Sequence, residues 1–267
     1  MSDRPRLVAT DLDGTLLDAD GKVTARTREV ITALDEQGVP VVFVTGRPIR
    51  WMETLWEEVG GHGLAICSNG GIVYDVPTHE VRKARAIPHE VLLDVARTLR
   101  ATVPGTSFAL EKTTGFALEP SFLKHRDDRE VPDVPRGPLE QIAGGSVVKL
   151  LARHEELAPQ EFWDVVESSV GAQVTTTWSS VGTLVEMSAA GVTKATTLAE
   201  LCTELRVAPH EVVAFGDMPN DLPLLTWAGT SYAMGNAHPT VLAQADHVAP
   251  HHDQDGVATV LAELFDL

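Results

Sequence analysis

The chain has 267 residues and carries 21 basic side chains against 38 acidic ones, which gives a formal net charge of −17. Hydrophobic residues make up 43% of the sequence, which excludes a disordered chain and can build one large domain or two small ones. The negative charge argues against nucleic acid or an anionic membrane as a partner, because both carry charge of the same sign. An anionic small-molecule substrate would need a local cation or a metal to offset this charge.

The cysteine content and the first residues of the chain indicate where in the cell the protein is expected. Cys67 and Cys202 are the two cysteines, too few for a disulfide framework, and reduced thiols are expected. The chain begins with charged residues on both sides of a short apolar run, and no segment has the apolar length of a membrane span. We therefore expect a cytoplasmic protein.

Apolar strands alternate with amphipathic helices over the first part of the chain. Short buried strands are predicted at 6–12, 40–45 and 64–67. Thr24 is typical of a helix N-cap, and Pro48 is typical of a first helical turn. This strand–helix–strand spacing predicts a parallel sheet.

The pattern changes between about residues 82 and 184. Two helix-like stretches lie among strand-like segments that indicate an antiparallel sheet, at 107–111, 116–119, 146–152, 173–178 and 183–187. After Gly191 the first pattern returns, with a helix and further buried strands. We therefore predict an α/β core with a parallel sheet, formed by residues 1–82 and 188–267, and an inserted α+β domain at 83–187.

A pair of carboxylates follows the first predicted strand, in the sequence Asp11-Leu-Asp13-Gly14-Thr15. Residues two apart point to the same side of an extended chain, and Gly14 permits a sharp exit from the strand. Two such carboxylates can hold a divalent cation and attack an electrophile. In an open parallel sheet, ligands bind beyond the carboxyl ends of the strands, which is where this pair is predicted to lie.

Three further motifs fall at predicted strand ends or helix starts. Thr45-Gly46-Arg47 offers a hydroxyl, a flexible backbone and a cation, which suit a phosphoryl oxygen. Lys194 lies at the start of a helix capped by Thr193, a combination that favours an anion. Gly216-Asp217-Met-Pro-Asn220-Asp221 places one acid at a strand tip, where it can reach a cation, and another at the start of a helix.

Taken together, these four motifs resemble those of the haloacid dehalogenase-like superfamily in residue type, order and position relative to strands. Ser68-Asn69-Gly70-Gly71 and the large insert resemble the Cof-like phosphatases, which carry a type-two cap. The resemblance implies a Rossmann-like parallel-sheet core with an inserted α+β cap domain. It also implies phosphoryl transfer through a covalent aspartyl-phosphate.

The resemblance assigns a role to each matching position. Asp11 is the implied nucleophile and Asp13 the implied general acid and base. The implied magnesium ligands are the Asp11 carboxylate, the Asp13 backbone carbonyl and Asp217, with Lys194 neutralising the repulsion between nucleophile and phosphate. The implied phosphate-binding and positioning residues are Thr45, Gly46, Lys194, Asn220 and Asp221. Arg47 is predicted either to contact substrate or to form a surface ion pair.

The predicted function is a magnesium-dependent phosphatase of small phosphorylated metabolites, such as sugar phosphates or phosphorylated cofactors. A phosphomutase, or a phosphatase devoted to one sugar phosphate, is the alternative on the same fold. A non-catalytic protein that binds a phosphorylated ligand is the alternative of another class, and it predicts loss of Asp11 or Asp13, both of which are present. The sequence names neither the substrate nor the oligomeric state.

Overall fold

The computed structural model describes residues 4–59, 61, 63–122, 134–178 and 183–267. The chain forms two compact units, one made of Met1–Lys83 with Thr193–Leu267 and the other of Ala84–Val192. The sequence had placed the boundaries after residues 82 and 187. The second boundary lies further along because the strand Leu184–Ala189 belongs to the sheet of the second unit.

The secondary-structure elements are numbered along the chain. The strands are β1 (Leu7–Thr10), β2 (Val41–Val44), β3 (Leu64–Cys67), β4 (Ile72–Asp75), β5 (Glu80–Ala84), β6 (Ser107–Lys112), β7 (Gly115–Leu118), β8 (Val147–Arg153), β9 (Val174–Trp178), β10 (Leu184–Ala189), β11 (Val212–Gly216), β12 (Thr230–Met234) and β13 (His247–Ala249). The α-helices are α1 (Ala25–Glu36), α2 (Glu53–Glu58), α3 (His89–Thr102), α4 (Leu139–Ile142), α5 (Pro159–Val170), α6 (Lys194–Leu205), α7 (Leu222–Trp227), α8 (Pro239–Leu242) and α9 (Gly256–Phe265).

Within the described residues, the first unit contains an eight-stranded sheet in the order β13-β12-β11-β1-β2-β3-β4-β5. Neighbouring strands from β13 to β3 are parallel, and β4 runs antiparallel to β3. The central strands β1, β2 and β11 are buried along their whole length, as expected for a parallel sheet covered on both faces. Six parallel carboxyl ends therefore meet at one edge of this sheet.

The second unit contains, in its described residues, a five-stranded antiparallel sheet in the order β7-β6-β8-β10-β9. Its apolar core includes Leu92 and Leu99 of α3, Phe162 of α5, and Phe108 and Leu150 of the sheet. On β8, the nearly buried Lys149 donates a 2.7 Å hydrogen bond to Glu186 of β10. Pairing in this way offsets part of the cost of burying a charge.

The predicted fold class is confirmed: an α/β core with a parallel sheet carries an inserted α+β unit. Three strands, β4, β5 and β13, were not predicted. The sequence IVYD of β4 does contain a short buried apolar run, whereas β5 and β13 show no apolar run or alternation that marks a strand. Every residue of β5, with the sequence EVRKA, is exposed at the edge of the sheet, and β13 has three residues. Over the described residues, each helix is too short or too polar to cross a bilayer.

Candidate active site

The polar residues of the candidate site extend from the carboxyl ends of adjacent parallel strands. Asp11 follows β1, Thr45 follows β2 and Asp217 follows β11, and these strands are neighbours in the sheet. The backbone amide of Asp11 donates to the Phe215 carbonyl at 3.1 Å, which extends the pairing of β1 with β11 to Asp11. The parallel register therefore brings together side chains that lie more than 200 positions apart in sequence, such as Asp11 and Asp217.

Lys194 joins two of these strand ends. Its ammonium lies 2.5 Å from Asp11 Oδ1 and 2.6 Å from Asp221 Oδ1. The side chains of the three residues are 2%, 8% and 0% exposed, in the order Lys194, Asp11, Asp221. Thr193 caps α6 by accepting a hydrogen bond from the Thr196 amide, which fixes the first turn from which Lys194 projects. We call Asp11, Asp217 and Asp221, together with Lys194, the buried acidic cluster.

Burial sets the electrostatics of the buried acidic cluster. It raises the pKa of Asp11 to about 8, against the opposing effect of Lys194 and with further increases from Asp221 and Asp217. It also raises the pKa of Asp217 to about 6, again with a further increase from Asp221. Burial alone would lower the pKa of Lys194, but Asp11 and Asp221 outweigh it, so this pKa is raised. The three acids outnumber the one buried ammonium, so an additional positive charge would interact favourably with the cluster.

The loop after Asp11 is held against Asp217. Thr15 Oγ1 donates to Asp217 Oδ1 at 3.1 Å. Gly14 has φ +76°, and a Cβ atom there would lie 2.5 Å from Asp217 Oδ2. A larger residue at position 14 would therefore be strained and would also clash with Asp217. This contact explains why the exit from the strand requires glycine.

Asp13 points away from the buried acidic cluster and pairs with Arg47. Arg47 Nε donates to Asp13 Oδ2 at 2.8 Å and Nη2 lies 2.5 Å from Oδ1, so the guanidinium binds both carboxylate oxygens. The side chains are 23% exposed for Arg47 and 59% for Asp13. The ion pair that was one of two predictions for Arg47 is therefore present, and its partner is a residue of the candidate site.

The turn after β3 supports the Thr45-Gly46-Arg47 segment. The Asn69 amide donates to the Thr45 carbonyl at 3.0 Å, and the Ser68 amide donates to the Arg47 carbonyl at 3.0 Å. Ser68 and Asn69 both have left-handed backbone conformations, with φ values of 55° and 56°. Such conformations are uncommon outside glycine and are concentrated at functional sites. Thr45 itself is buried, and its hydroxyl accepts from the Arg47 amide at 3.0 Å.

The sequence model of the haloacid dehalogenase-like hydrolases matches residues 8–261. That range covers nearly the whole chain and every residue of the candidate site. The chain belongs to this hydrolase family. The family expected from the four motifs is thus confirmed.

Similar proteins support this membership. The 5-amino-6-(5-phospho-D-ribitylamino)uracil phosphatase YitU of Bacillus subtilis (strain 168) is 27% identical over 100% of both chains. The pyridoxal phosphate phosphatase YbhA of Escherichia coli (strain K12) is 28% identical over 95% of this chain and 96% of its own length. The crystal structure of a haloacid dehalogenase-like hydrolase from Bacteroides thetaiotaomicron, 24% identical, covers 98% of this chain with a TM-score of 0.77, which shows the shared fold.

The acids of the hydrolase site have the composition of a cation site. Carboxylate oxygens of Asp11, Asp217 and Asp221 all lie within 4.8 Å of one another. Asp221 already accepts from Lys194 with Oδ1, and its Oδ2 accepts from the amides of Asp217 and Met218 at 3.2 and 3.0 Å. Asp221 is therefore suited to anchoring Lys194 and the strand tip.

Asn220 contacts the turn after β3. Its Nδ2 atom lies 3.5 Å from Asn69 Oδ1, so it bridges the ends of β11 and β3. Lys194 is contacted by Asp221, the neighbouring residue. Asn220 therefore belongs with the Thr45-Gly46-Arg47 side, and Asp221 with the buried acidic cluster.

Two residues of the hydrolase site were missed by the sequence analysis. Asn236 Nδ2 donates to the Gly14 carbonyl at 2.7 Å, and His252 Nδ1 lies 2.8 Å from the Leu17 carbonyl oxygen. They follow β12 and β13, so the strand-end rule that selected Asp11 and Asp217 also applies to them. Asn236 could have been found in this way, because β12 was predicted. His252 follows β13, which was not predicted.

Proposed function

We propose that this hydrolase cleaves phosphomonoesters of small metabolites through an aspartyl-phosphate on Asp11. The observation that carries the proposal is the buried Asp11 carboxylate, fixed 2.5 Å from the Lys194 ammonium at the end of β1. A fixed carboxylate beside a buried cation is suited to attacking an anionic phosphorus centre, since the cation offsets the charge repulsion. The curated relatives described above are named as phosphatases of phosphorylated metabolites, which supports the same class of substrate.

The first half-reaction forms the covalent intermediate. An Asp11 carboxylate oxygen attacks phosphorus, and the bond between phosphorus and the ester oxygen breaks as the new bond forms. For this step Arg47 must release one Asp13 oxygen, which takes up a proton from solvent; Asp13 then gives that proton to the departing oxygen, which leaves as an alcohol. The exposed position of Asp13 supports this role, because its side chain, 59% exposed, is accessible to a leaving group and to solvent.

The second half-reaction releases phosphate. Asp13, now a carboxylate, takes a proton from water while the water oxygen attacks phosphorus. The bond between phosphorus and the Asp11 oxygen breaks, and the Asp11 carboxylate is regenerated. In both half-reactions Lys194 stays hydrogen-bonded to Asp221 and keeps the Asp11 side chain in place.

The remaining motif residues are proposed to bind the phosphoryl group. Thr45, Gly46 and Asn220 lie together through their contacts with the Ser68–Asn69 turn, and Arg47 adds positive charge beside them. Backbone N–H groups and a guanidinium are suited to phosphate oxygens. Together with Lys194, they provide the local positive charge that an anionic substrate needs on a chain of net charge −17.

Magnesium is the proposed cofactor. Asp11 and Asp217 would hold it with the backbone carbonyl of Asp13, because hard oxygen ligands suit this ion. Burial raises the pKa of Asp11 to about 8 and that of Asp217 to about 6, and a bound cation would favour the charged form of both. Bound magnesium would supply positive charge against the phosphoryl oxygens.

The test is phosphate release from a panel of phosphomonoesters, with magnesium and with EDTA. The panel contains sugar phosphates, pyridoxal phosphate, 5-amino-6-(5-phospho-D-ribitylamino)uracil and p-nitrophenyl phosphate. We expect metal-dependent release from some of these compounds, and none from Asp11→Asn, which retains the shape of the side chain but loses the nucleophile. Wild-type activity in Asp11→Asn would contradict the proposed nucleophile. Transfer of phosphate to a second sugar hydroxyl instead of water would favour the mutase alternative. The cytoplasmic location stays a prediction.

A further inference from the structure

The loop that carries Asp13 is held from its far side by two residues from the last part of the chain. Asn236 Nδ2 donates to the Gly14 carbonyl at 2.7 Å, and the His252 side chain reaches the Leu17 carbonyl at 2.8 Å. The two residues are joined to each other, because the His252 amide donates to Asn236 Oδ1 at 3.1 Å. We call this arrangement the Asn236–His252 clamp.

The hydrogen-bonding roles within the clamp follow from the acceptors. A carbonyl oxygen accepts and cannot donate, so His252 must carry a proton on Nδ1, and Asn236 must present its amide nitrogen to Gly14. The Asn236 oxygen is already oriented toward the His252 amide, which agrees with that assignment. Each clamp side chain thus has one orientation that satisfies its partners.

The clamp acts on a segment whose own backbone is irregular. Asp13 has φ −75° and ψ 117°, and Gly14 has φ +76°, so regular helical hydrogen bonding does not fix the Gly14 peptide. On one side the segment is tied to Asp217 through the Thr15 hydroxyl. The Gly14 and Leu17 carbonyl oxygens accept hydrogen bonds from the Asn236 and His252 side chains. Without the clamp, the Gly14 and Leu17 carbonyls would lose these side-chain partners, and the backbone of the loop that carries Asp13 would be less restrained.

We propose that Asn236 and His252 are positioning residues that fix the backbone of the loop carrying Asp13 and so limit the positions from which its carboxyl group transfers a proton. The inference deepens the proposed function and rests on it, because it presumes that Asp13 is the general acid and base. Neither residue is proposed to touch the substrate. Outer residues that orient reacting groups commonly contribute about 10- to 100-fold to activity. Since proton transfer occurs in the transition state, loss of the clamp should lower kcat and leave KM nearly unchanged.

The test compares variants of His252 that differ in where they carry a donor. His252→Asn keeps a nitrogen donor one bond from Cγ, where Nδ1 lies, whereas His252→Gln moves it one bond further out. The full chain is assayed with magnesium and the sugar phosphate that the wild type hydrolyses fastest, because the alkoxide leaving group needs a proton, with Asn236→Ala as the second site and His210→Ala as a control at an exposed histidine before β11. We expect His252→Gln and Asn236→Ala to lower kcat by about 10- to 100-fold, with KM changed less than about threefold. His252→Asn should recover kcat to within about threefold of the wild type.

Hydrogen exchange of the peptide spanning residues 12–17 gives a readout that does not depend on activity. We expect this peptide to exchange at least about tenfold faster in His252→Gln and Asn236→Ala than in the wild type, and His252→Asn to restore protection. Equal losses in His252→Asn and His252→Gln, a rise in KM without a fall in kcat, or unchanged exchange would each overturn the clamp. If the wild type releases no phosphate from any ester, the proposed function fails instead, and exchange alone decides whether the clamp holds the loop.

Discussion

Two ion pairs in the first unit have the same length and opposite surroundings. Lys194 Nζ lies 2.5 Å from Asp11 Oδ1, and Arg47 Nη2 lies 2.5 Å from Asp13 Oδ1. The Lys194 and Asp11 side chains are 2% and 8% exposed, whereas those of Arg47 and Asp13 are 23% and 59% exposed. The two acids are separated by a single residue in sequence, so the local turn alone directs them into different environments.

The two pairs differ in burial and not in length, so burial sets how firmly each acid is held and how far solvent reaches it. A buried ion pair is expensive to break, because removing one partner leaves a charge without solvent. An exposed pair of the same length contributes little to stability, and water screens it. In the proposed mechanism, Asp11 is thereby kept in one place for attack, while Asp13 remains in contact with the solvent with which it would exchange protons.

Removing the buried cation should have the largest effect. We expect Lys194→Met to lower kcat at least about 100-fold, because a charge that opposes phosphate repulsion is lost. We also expect the free energy of unfolding to fall by about 3–5 kcal/mol, because Asp11 and Asp221 lose their buried partner. Steady-state kinetics and urea unfolding measure the two effects.

The matched control for that substitution is Lys83→Met. Lys83 forms a 2.6 Å ion pair with Glu200, and these side chains are 44% and 40% exposed. This variant should change the free energy of unfolding by less than about 1 kcal/mol and leave kcat unaltered. Equal destabilisation by the two methionine variants would show that burial does not distinguish these pairs.

Removing the exposed acid should impair catalysis without impairing folding. We expect Asp13→Asn to lower kcat about 100-fold on an alkyl phosphate such as a sugar phosphate, because the departing alkoxide then lacks a proton donor. The loss should be smaller on p-nitrophenyl phosphate, whose leaving group departs without a proton, and the melting temperature should stay close to that of the wild type. A loss that is equal for both substrates would argue against Asp13 as the general acid.

The same two pairs show how far the sequence could be interpreted. The strand-end rule located Asp11, Thr45 and Asp217, because apolar runs mark strands and parallel strands end at one edge. It could not show which side chains touch, since Lys194 and Asp11 lie 183 positions apart and meet only through the folded sheet. The separation of Asp11 from Asp13 by burial was equally invisible, because alternation placed both on one side of an extended chain.

Two of the three strands that were not predicted lack an apolar signal. The exposed strand β5 and the three-residue strand β13 carry no pattern that marks a strand, and His252 depends on β13 for its position. Asp221 shows a different limit. An acid at the start of a helix has an ordinary explanation in the helix dipole, so its contact with Lys194 was expected only from the family resemblance.

Substitutions of Arg47 sharpen the comparison, because they separate charge from shape. Its pair with Asp13 uses two of the five N–H donors of a guanidinium. We expect Arg47→Ala to raise KM and lower kcat, each about tenfold, because both the positive charge and the two hydrogen bonds to Asp13 are lost. Arg47→Lys should recover KM but not kcat, since lysine keeps the charge and cannot bind both Asp13 oxygens. Recovery of both parameters by lysine would mean that charge alone matters at this position.

Metal binding gives the smallest expected effect, and its pH dependence tests the electrostatics of the buried acidic cluster. Burial raises the pKa of Asp11 to about 8 and that of Asp217 to about 6, from ordinary values of 3.8. Between pH 4 and 8 the folded protein therefore binds more protons at these groups than the unfolded chain does, so their contribution to stability falls as pH rises. A cation that needs both groups ionised should restore this loss, and should do so more fully at high pH.

The measurement is the melting temperature with magnesium and with EDTA at pH 5 and pH 8. We expect a magnesium-induced increase of a few degrees at pH 8 and a smaller one at pH 5. Asp217→Asn should melt higher than the wild type in EDTA at pH 8, because one buried negative charge is gone, and should respond less to magnesium. An equal response to magnesium at both pH values, or in both proteins, would place the ion outside the buried acidic cluster. The contrast between Asp11 and Asp13 would then reflect burial of the nucleophile alone, with no part in holding a cation.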